Sequence, residues 1–341
     1  MRTTLLAIAL SVTGLLPAAV TADEMIMKNG SRLIGTVVSA SEGKIKFDTE
    51  FAGTISIDVE DVDTMFTDKE VTVMMNDGQI IENQRIAARD KAMIMMSENM
   101  GAVLFKAKDM KSLNPEPWEL GRGYKWFGDI STAMLVERGN TDTKELDVSG
   151  KSIWRSLKDR YTIRANYELD EANGEKNKNK WRWRNKYDRF STENPDKYIG
   201  ALVAFEGDEF ADLDLRTYVG PYIGRQFFEG NFLTLSGEVG LVYVDERFDV
   251  GENNSYPGSN WALHLTSNYF GGSSNFYIDH DGILNFEETD ALILNTTIGI
   301  KFKVYGGVEA GVEFKYEYDG GVAKEVDELD ETYNFRLGYA W

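Results

Sequence analysis

The last ten residues, TYNFRLGYAW, constrain the fold more than any other stretch. Tyr333, Phe335, Leu337, Tyr339 and Trp341 occupy every second position, with Asn334, Arg336, Gly338 and Ala340 between them. A β-strand points successive side chains to opposite faces, so one face here is apolar and mostly aromatic while the other is small or polar. A soluble protein hides such a face in a core. A membrane-spanning barrel shows it to lipid, with its aromatic residues near the two interfaces. On this segment alone both readings stand.

The rest of the chain favours the second. Arg2, an apolar run from Leu5 to Leu16, Pro17 and the small residues before Asp23 fit a secretory signal over residues 1–22, cleaved after Ala22. Beyond it no uncharged apolar run approaches the ~20 residues that a spanning helix needs, so any crossing is made of strands. Cysteine is absent, which removes disulfides, thiolate metal sites and a cysteine nucleophile. A formal net charge of -19 argues against nucleic acid, because phosphate binding needs a basic surface. No cofactor is expected.

After Gly123 the sequence breaks into about twelve alternating segments, from Tyr124–Glu137 to Thr332–Trp341, each long enough to cross a membrane as a tilted strand of ~9–11 residues. Tyr161, Ile163, Ala165, Tyr167 and Leu169 share one face, and Thr162, Arg164, Asn166 and Glu168 the other. Val308, Ala310, Val312, Phe314, Tyr316 and Tyr318 likewise oppose Glu309, Gly311, Glu313, Lys315, Glu317 and Asp319. Charges at successive inward positions fit a wet lumen. Connections such as Lys158-Asp159 and Tyr305-Gly306 read as tight turns; residues 171–176, 249–259, 282–288 and 319–331 read as longer polar loops on the other side. That asymmetry places the tight turns in the periplasm.

Ahead of the barrel the chain repeats itself. Met25–Met65 aligns without a gap on Val73–Leu113, an offset of 48 residues, with Asn29-Gly30 falling on Asp77-Gly78. Such pairs between apolar runs are strong hairpin signals, because type I′ turns need positive φ at both central residues. Each copy reads as a small β-barrel of about five strands that resembles SH3-like or Sm-like modules through KNGSRLIGTVV. The second copy departs from that pattern, with Asn83 where the first has Gly35. Its loops, holding Ser41, Glu42, Asp90 and Lys91, lack the basic and aromatic contacts of RNA-binding relatives. Met74, Met75, Met93, Met95, Met96 and Met100 read as packing rather than a metal box. The predicted domains are therefore 23–68, 69–114, a linker over 115–123 marked by Pro115 and Pro117, and a barrel over 124–341.

The leader, the KNGSRLIGTV module, the ERGNTDT turn at Glu137–Thr143 and the aromatic terminus together resemble the YdiY-like family of salt-stress-induced outer-membrane proteins. The resemblance implies an all-β chain: an outer-membrane antiparallel barrel preceded by two small SH3-like/Sm-like repeats in the periplasm. The closing strand, Tyr333, Phe335, Leu337, Tyr339 and Trp341, is similar to those that the barrel assembly machinery recognises. Membrane lipid, lipopolysaccharide and a periplasmic partner of the repeats are the further expected contacts. No reaction or catalytic residue comes with the resemblance.

Chemistry is sparse. Outer-membrane acyl hydrolases use a His-x-Ser pair on the lipid side of a strand; here His264-Leu265-Thr266 has threonine, and alternation turns His264, Thr266 and Asn268 to the lumen. His280, between Asp279 and Asp281, reads as a solvated loop residue or a cation site. The acidic loop with Glu325, Asp327, Glu328, Asp330 and Glu331 suits solvation or weak divalent-cation binding. The expected lumen charges are Arg164, Arg182, Arg184, Lys186, Arg216, Glu238, Glu309, Glu313, Lys315 and Glu317. They either sort solutes in a pore or interlock and plug it. The expected role is structural or passive permeation, with a gated specific channel and a lipid hydrolase as alternatives.

Overall fold

A computed structural model describes residues 22–41, 43–89, 91–97, 99, 101–138, 142–230, 232–271, 273–321 and 327–341. The expected leader at 1–21, Glu42, Asp90, Met100, the centre of the ERGNTDT turn at 139–141 and loop residues 322–326 with Glu325 lie outside the described residues. The chain divides into two compact units, one ending at Pro115 and the other starting at Glu116.

In the first unit, β1 (Asp23–Met27), β2 (Arg32–Ser41), β3 (Lys44–Thr49), β4 (Gly53–Asp58) and β5 (Val62–Phe66) make one repeat. The second comprises β6 (Val71–Met75), β7 (Ile80–Gln84), β8 (Ala87–Arg89), β9 (Ala92–Ser97), β10 (Gly101–Phe105) and β11 (Met110–Leu113). The offset holds pair by pair: Met25 faces Leu33 and Met65, as Val73 faces Ile81 and Leu113. Gly30 and Gly78 supply the positive φ of matching hairpins, at 86° and 88°. The repeats differ where Gly35 meets Asn83. A Cβ on Gly35 would lie 2.1 Å from the Asp48 carbonyl oxygen, so only glycine lets β2 run on over β3. Asn83 instead takes φ 51°, and the equivalent strand splits into β7 and β8.

Neither repeat packs alone. β11 pairs with β2, and one core joins Met25, Ile45 and Phe47 to Val73, Met93, Met95 and Leu113. A β unit of roughly 45 residues buries too little surface to be stable without a partner, and here each repeat supplies the other's. Met75, Met93 and Met95 are core side chains, while Met96 is exposed.

The second unit is a closed barrel of twelve antiparallel strands. They are β12 (Lys125–Glu137), β13 (Thr143–Arg155), β14 (Asp159–Ala172), β15 (Glu175–Phe190), β16 (Lys197–Asp208), β17 (Leu213–Glu229), β18 (Leu233–Phe248), β19 (Asn254–Ser267), β20 (Ser274–Asn285), β21 (Leu292–Tyr305), β22 (Val308–Asp319) and β23 (Leu329–Ala340). Each pairs with the next and β23 returns to β12, so Lys125 and Ala340 share one end, the terminal rim; the other end is the far rim.

The alternation predicts this strand count, but not the loop lengths. Residues 171–176 form no long loop: β14 and β15 are joined by Asn173-Gly174, with φ 52° and 84°, a two-residue hairpin. β19 starts at Asn254 and β20 runs to Asn285, so residues read as loop extend strands instead. The strands outrun a bilayer, and their polar far-rim ends are ladder rather than coil.

The outer face fits a membrane-spanning barrel. Ile199, Ile223, Val239, Leu241 and Leu263 point outward and exposed. Aromatic residues gather near the terminal rim, where Trp126 stacks on Trp154 at 6.2 Å and meets Trp341 at 5.5 Å, and Tyr269 packs on Phe232 and Phe270. Such a girdle belongs at a lipid–water interface. Trp341 is anchored in it by reciprocal backbone bonds with Gly128. The inner face is less uniformly polar than expected, since Leu202, Tyr218, Val242, Val244 and Tyr256 pack inside β16–β19.

Candidate functional site

Strand geometry aims even-numbered residues of β14, β15 and β17–β19, and odd-numbered residues of β20–β22, into the barrel. The ten expected lumen charges therefore meet there, and nine enter ion pairs. Arg164 on β14 reaches Asp279 on β20 at 3.1 Å. Those strands stand opposite one another in the ring of twelve. Arg184 on β15 grips Asp281 on β20 with two bonds, at 2.9 and 2.8 Å. The two pairs are straps across the lumen. Bidentate guanidinium–carboxylate geometry fixes both partners, as a lysine's point charge does not.

A second layer lies toward the far rim. Arg182 bonds Glu206 at 2.6 Å and approaches Glu317 across the barrel at 3.6 Å, and Lys180 stands 3.4 Å from the same Glu317. Arg216 is the hub behind it, held by Glu206, Glu246 and Asp319. Toward the terminal rim, Lys186 pairs with Glu238, which also accepts from Tyr198 at 2.9 Å. Lys315 joins Asp147 to Glu168, and Arg336 joins Glu313 to Asp147. Glu309 lines the lumen without an ion pair among the described residues.

The layers divide the interior. A cavity of about 550 Å³ extends from the terminal rim, and one of about 310 Å³ lies at the far rim. Lys180, Arg182, Asn295 and Glu317 border both, so this layer is the partition between them. Basic and acidic side chains line the larger cavity in equal number. The fields of the two opposed walls, basic on β14–β15 and acidic on β20 and β22, therefore close on each other.

Sequence reasoning found Arg182, Arg184 and Glu317 but not the partners Asp279, Asp281, Glu206 and Asp147. Their inward parity was readable; which strand faces which across a closed ring was not. His264 does point inward, its Nδ1 2.6 Å from Asp279 Oδ1, and Thr266 lines the cavity beside it.

His280 departs from its expected place. It lies within β20, not in a loop, and points outward, while Asp279 and Asp281 point inward, so the three cannot converge on a cation. Its Nε2 accepts from Trp261 Nε1 at 3.0 Å, and its Nδ1 lies 2.9 Å from Thr296 Oγ1. An indole N–H only donates, so a neutral ring carries its proton on Nδ1 and donates it to Thr296. That tautomer cannot take a proton from the hydroxyl. Of the acidic stretch, Asp327 and Asp330 border the far-rim cavity and Glu328 accepts from Tyr318, while Asp330 and Glu331 belong to β23 rather than to a loop. Among the described residues no group of three histidine, aspartate or glutamate side chains has a metal-holding arrangement.

A family described as "Protein of unknown function, DUF481" matches residues 130–341. No curated protein matches the chain. Among solved structures, the NanC porin is 11% identical with a TM-score of 0.40, over 63% of this chain and 98% of that one. The translocator domain of the autotransporter NalP from Neisseria meningitidis is 9% identical, TM-score 0.36, over 65% and 88%. The outer membrane channel DcaP of Acinetobacter baumannii is 10% identical, TM-score 0.29, over 94% of each chain.

Proposed function

The chain belongs to the DUF481 family of proteins of unknown function, and from that premise we propose an outer-membrane barrel that passes small solutes passively through a lumen kept nearly shut by its own ion pairs. The observation that carries this reading is the partition: Arg182 and Lys180 meet Glu317 across the lumen, and the Arg164–Asp279 and Arg184–Asp281 straps lie beside it. The outward apolar band and the aromatic girdle support the membrane setting. With the terminal rim toward the periplasm, the repeats are periplasmic, the charged far-rim strand ends meet lipopolysaccharide, and β23 with Trp341 is the segment offered to the assembly machinery. A link to salt stress fits the same layer. Raising ionic strength from 0.15 to 1 M shortens the screening length from about 8 to about 3 Å, which weakens pairs in contact with lumen water.

The test is planar-bilayer conductance of the folded protein. Wild type is expected to show small or rare steps. A variant carrying Arg182→Ala, Glu317→Ala, Arg184→Ala and Asp281→Ala removes two cations and two anions, leaves Glu206 with Arg216 and Lys180 with Asp208, and is expected to show larger, frequent steps. Wide wild-type steps unchanged in the variant would refute a partition made of these residues.

A gated channel for one specific solute is the second reading, favoured by the charged lining of the larger cavity. It predicts ion selectivity that inverts in Arg182→Glu with Arg184→Glu. A lipid hydrolase draws less support, since His264 aims inward at Asp279 and the outward His280 has both ring nitrogens engaged, by Trp261 and Thr296.

A further inference from the structure

Eleven of the barrel's ladders run nearly the length of their strands. β12 pairs with β13 from Lys125–Arg155 to Glu137–Thr143, and β22 with β23 from Val308–Tyr339 to Tyr318–Leu329. The closing ladder between β12 and β23 is different. It holds from Asp129–Ala340 to Thr132–Leu337 and stops there, continued only toward the terminal rim by Gly128 and Trp341. Both strands go on toward the far rim, β12 to Glu137 and β23 back to Leu329, and no pairing joins them over that stretch among the described residues.

Two facing strand edges are thus open at membrane depth. Unpaired backbone groups are strongly unfavourable in hydrocarbon, which is why spanning sheets close completely. The edges must meet each other or something polar. Their outward flanks are apolar and bare: Met134 and Val136 on one strand, Tyr333 and Phe335 on the other, with Phe335 84% exposed. Inside, Asp147 on β13 accepts a hydrogen bond from Asn334 at 2.9 Å and forms an ion pair with Arg336 at 2.7 Å, a latch that ties β23 to β13 past β12. Ser131, Ser149 and Glu313, which Arg336 also contacts, line the larger cavity. One layer of side chains therefore separates the open seam from the cavity.

We propose that the seam between β12 and β23 is a lateral gate, hinged at Thr132–Leu337 and latched by Asp147, through which an amphiphile passes between bilayer and lumen. The apolar flanks suit a hydrocarbon chain lying along the seam. The open backbone groups and Asn334 suit a hydrogen-bonding head, and the equal charges of the cavity favour a head without net charge. Uncharged or zwitterionic single-chain lipids are the class that fits. This rests on the membrane-spanning reading, and it gives a shut axial lumen a second opening.

The absence of native cysteine makes the test clean. Met134→Cys with Phe335→Cys places thiols where the ladder would pair if it closed; Val136→Cys with Tyr333→Cys is the second staple should the first misfold. The full chain is reconstituted with a photoactivatable lysophosphatidylcholine, irradiated reduced or oxidised, and its adducts mapped. The gate predicts adducts at the inner-face positions Ala133, Leu135 and Asn334 when reduced and their loss on oxidation, while adducts at outer-wall Leu263 and Val239 persist in both. Inner-face adducts that are absent when reduced, or survive the staple, overturn the gate. So do disulfide-linked dimers in place of the internal bridge, which would assign the edges to a second copy. Loss of outer-wall adducts as well would instead sink the membrane reading itself.

Discussion

Arg216 shows what one side chain does in this interior. The residue is 3% exposed and its guanidinium holds Glu206 at 2.7 Å, Glu246 at 2.5 Å and Asp319 at 2.8 Å, so carboxylates from three other strands converge on one cation. Removing it leaves buried charges unpaired, which typically costs about 3–5 kcal/mol. Arg216→Met is expected to lower the temperature at which the barrel loses its heat-modifiable migration. Arg216→Lys should recover only part of the loss, because an ammonium cannot present the planar fork. Full recovery by lysine would mean that charge alone matters at this site. Alternation along β17 exposed Arg216 as inward-facing. Its partners come from β16, β18 and β22, and only closure of the ring brings Asp319 within reach.

Among the elements, legibility followed chemical contrast between faces. β14 and β22 alternate aromatic and charged residues, and their facing was readable from the sequence. In β19 NSYPG resembles a loop, yet Asn254–Gly258 pairs along β18. β16–β19 carry inward leucine, valine and tyrosine, so nothing in their pattern distinguished a packed wall from a wet one. The repeats were legible from Gly30 and Gly78, but their shared core was not, since a gapless alignment says nothing of which copy packs on which. Gly35 offers a test at this scale. Gly35→Asn copies the second repeat into the first and drives a Cβ toward Asp48 and the Phe47 ring, 2.8 Å away; overpacking of this kind costs about 1–3 kcal/mol. Asn83→Gly relieves a positive φ and should be nearly neutral or stabilising. Equal effects of the two, measured by thermal unfolding of the first unit, would deny that close approach at Gly35 distinguishes the copies.

At the scale of the whole molecule, the two units are stable for different reasons. The barrel is held by a nearly closed ladder of backbone bonds and by ion pairs across its lumen, which lipid or detergent surrounds without competing. The first unit is held by one apolar core, and Asp23 fastens it by accepting from the Val37 and Asp68 backbone amides at 2.7 and 2.8 Å. Hydrophobic burial of that kind yields to urea, whereas closed barrels in detergent resist it. The full chain should therefore unfold in two separate steps, the first abolished by deleting residues 23–115 and the second unmoved. The shared core makes a sharper demand. Deleting only residues 69–115 strips Phe47 and Ile45 of Val73, Met93 and Leu113, so the first step should vanish as completely as when both repeats are removed, and the remaining repeat should be degraded by protease. A surviving, protease-resistant first step after that half-deletion would show that each repeat folds alone and that their joint core is contact rather than necessity.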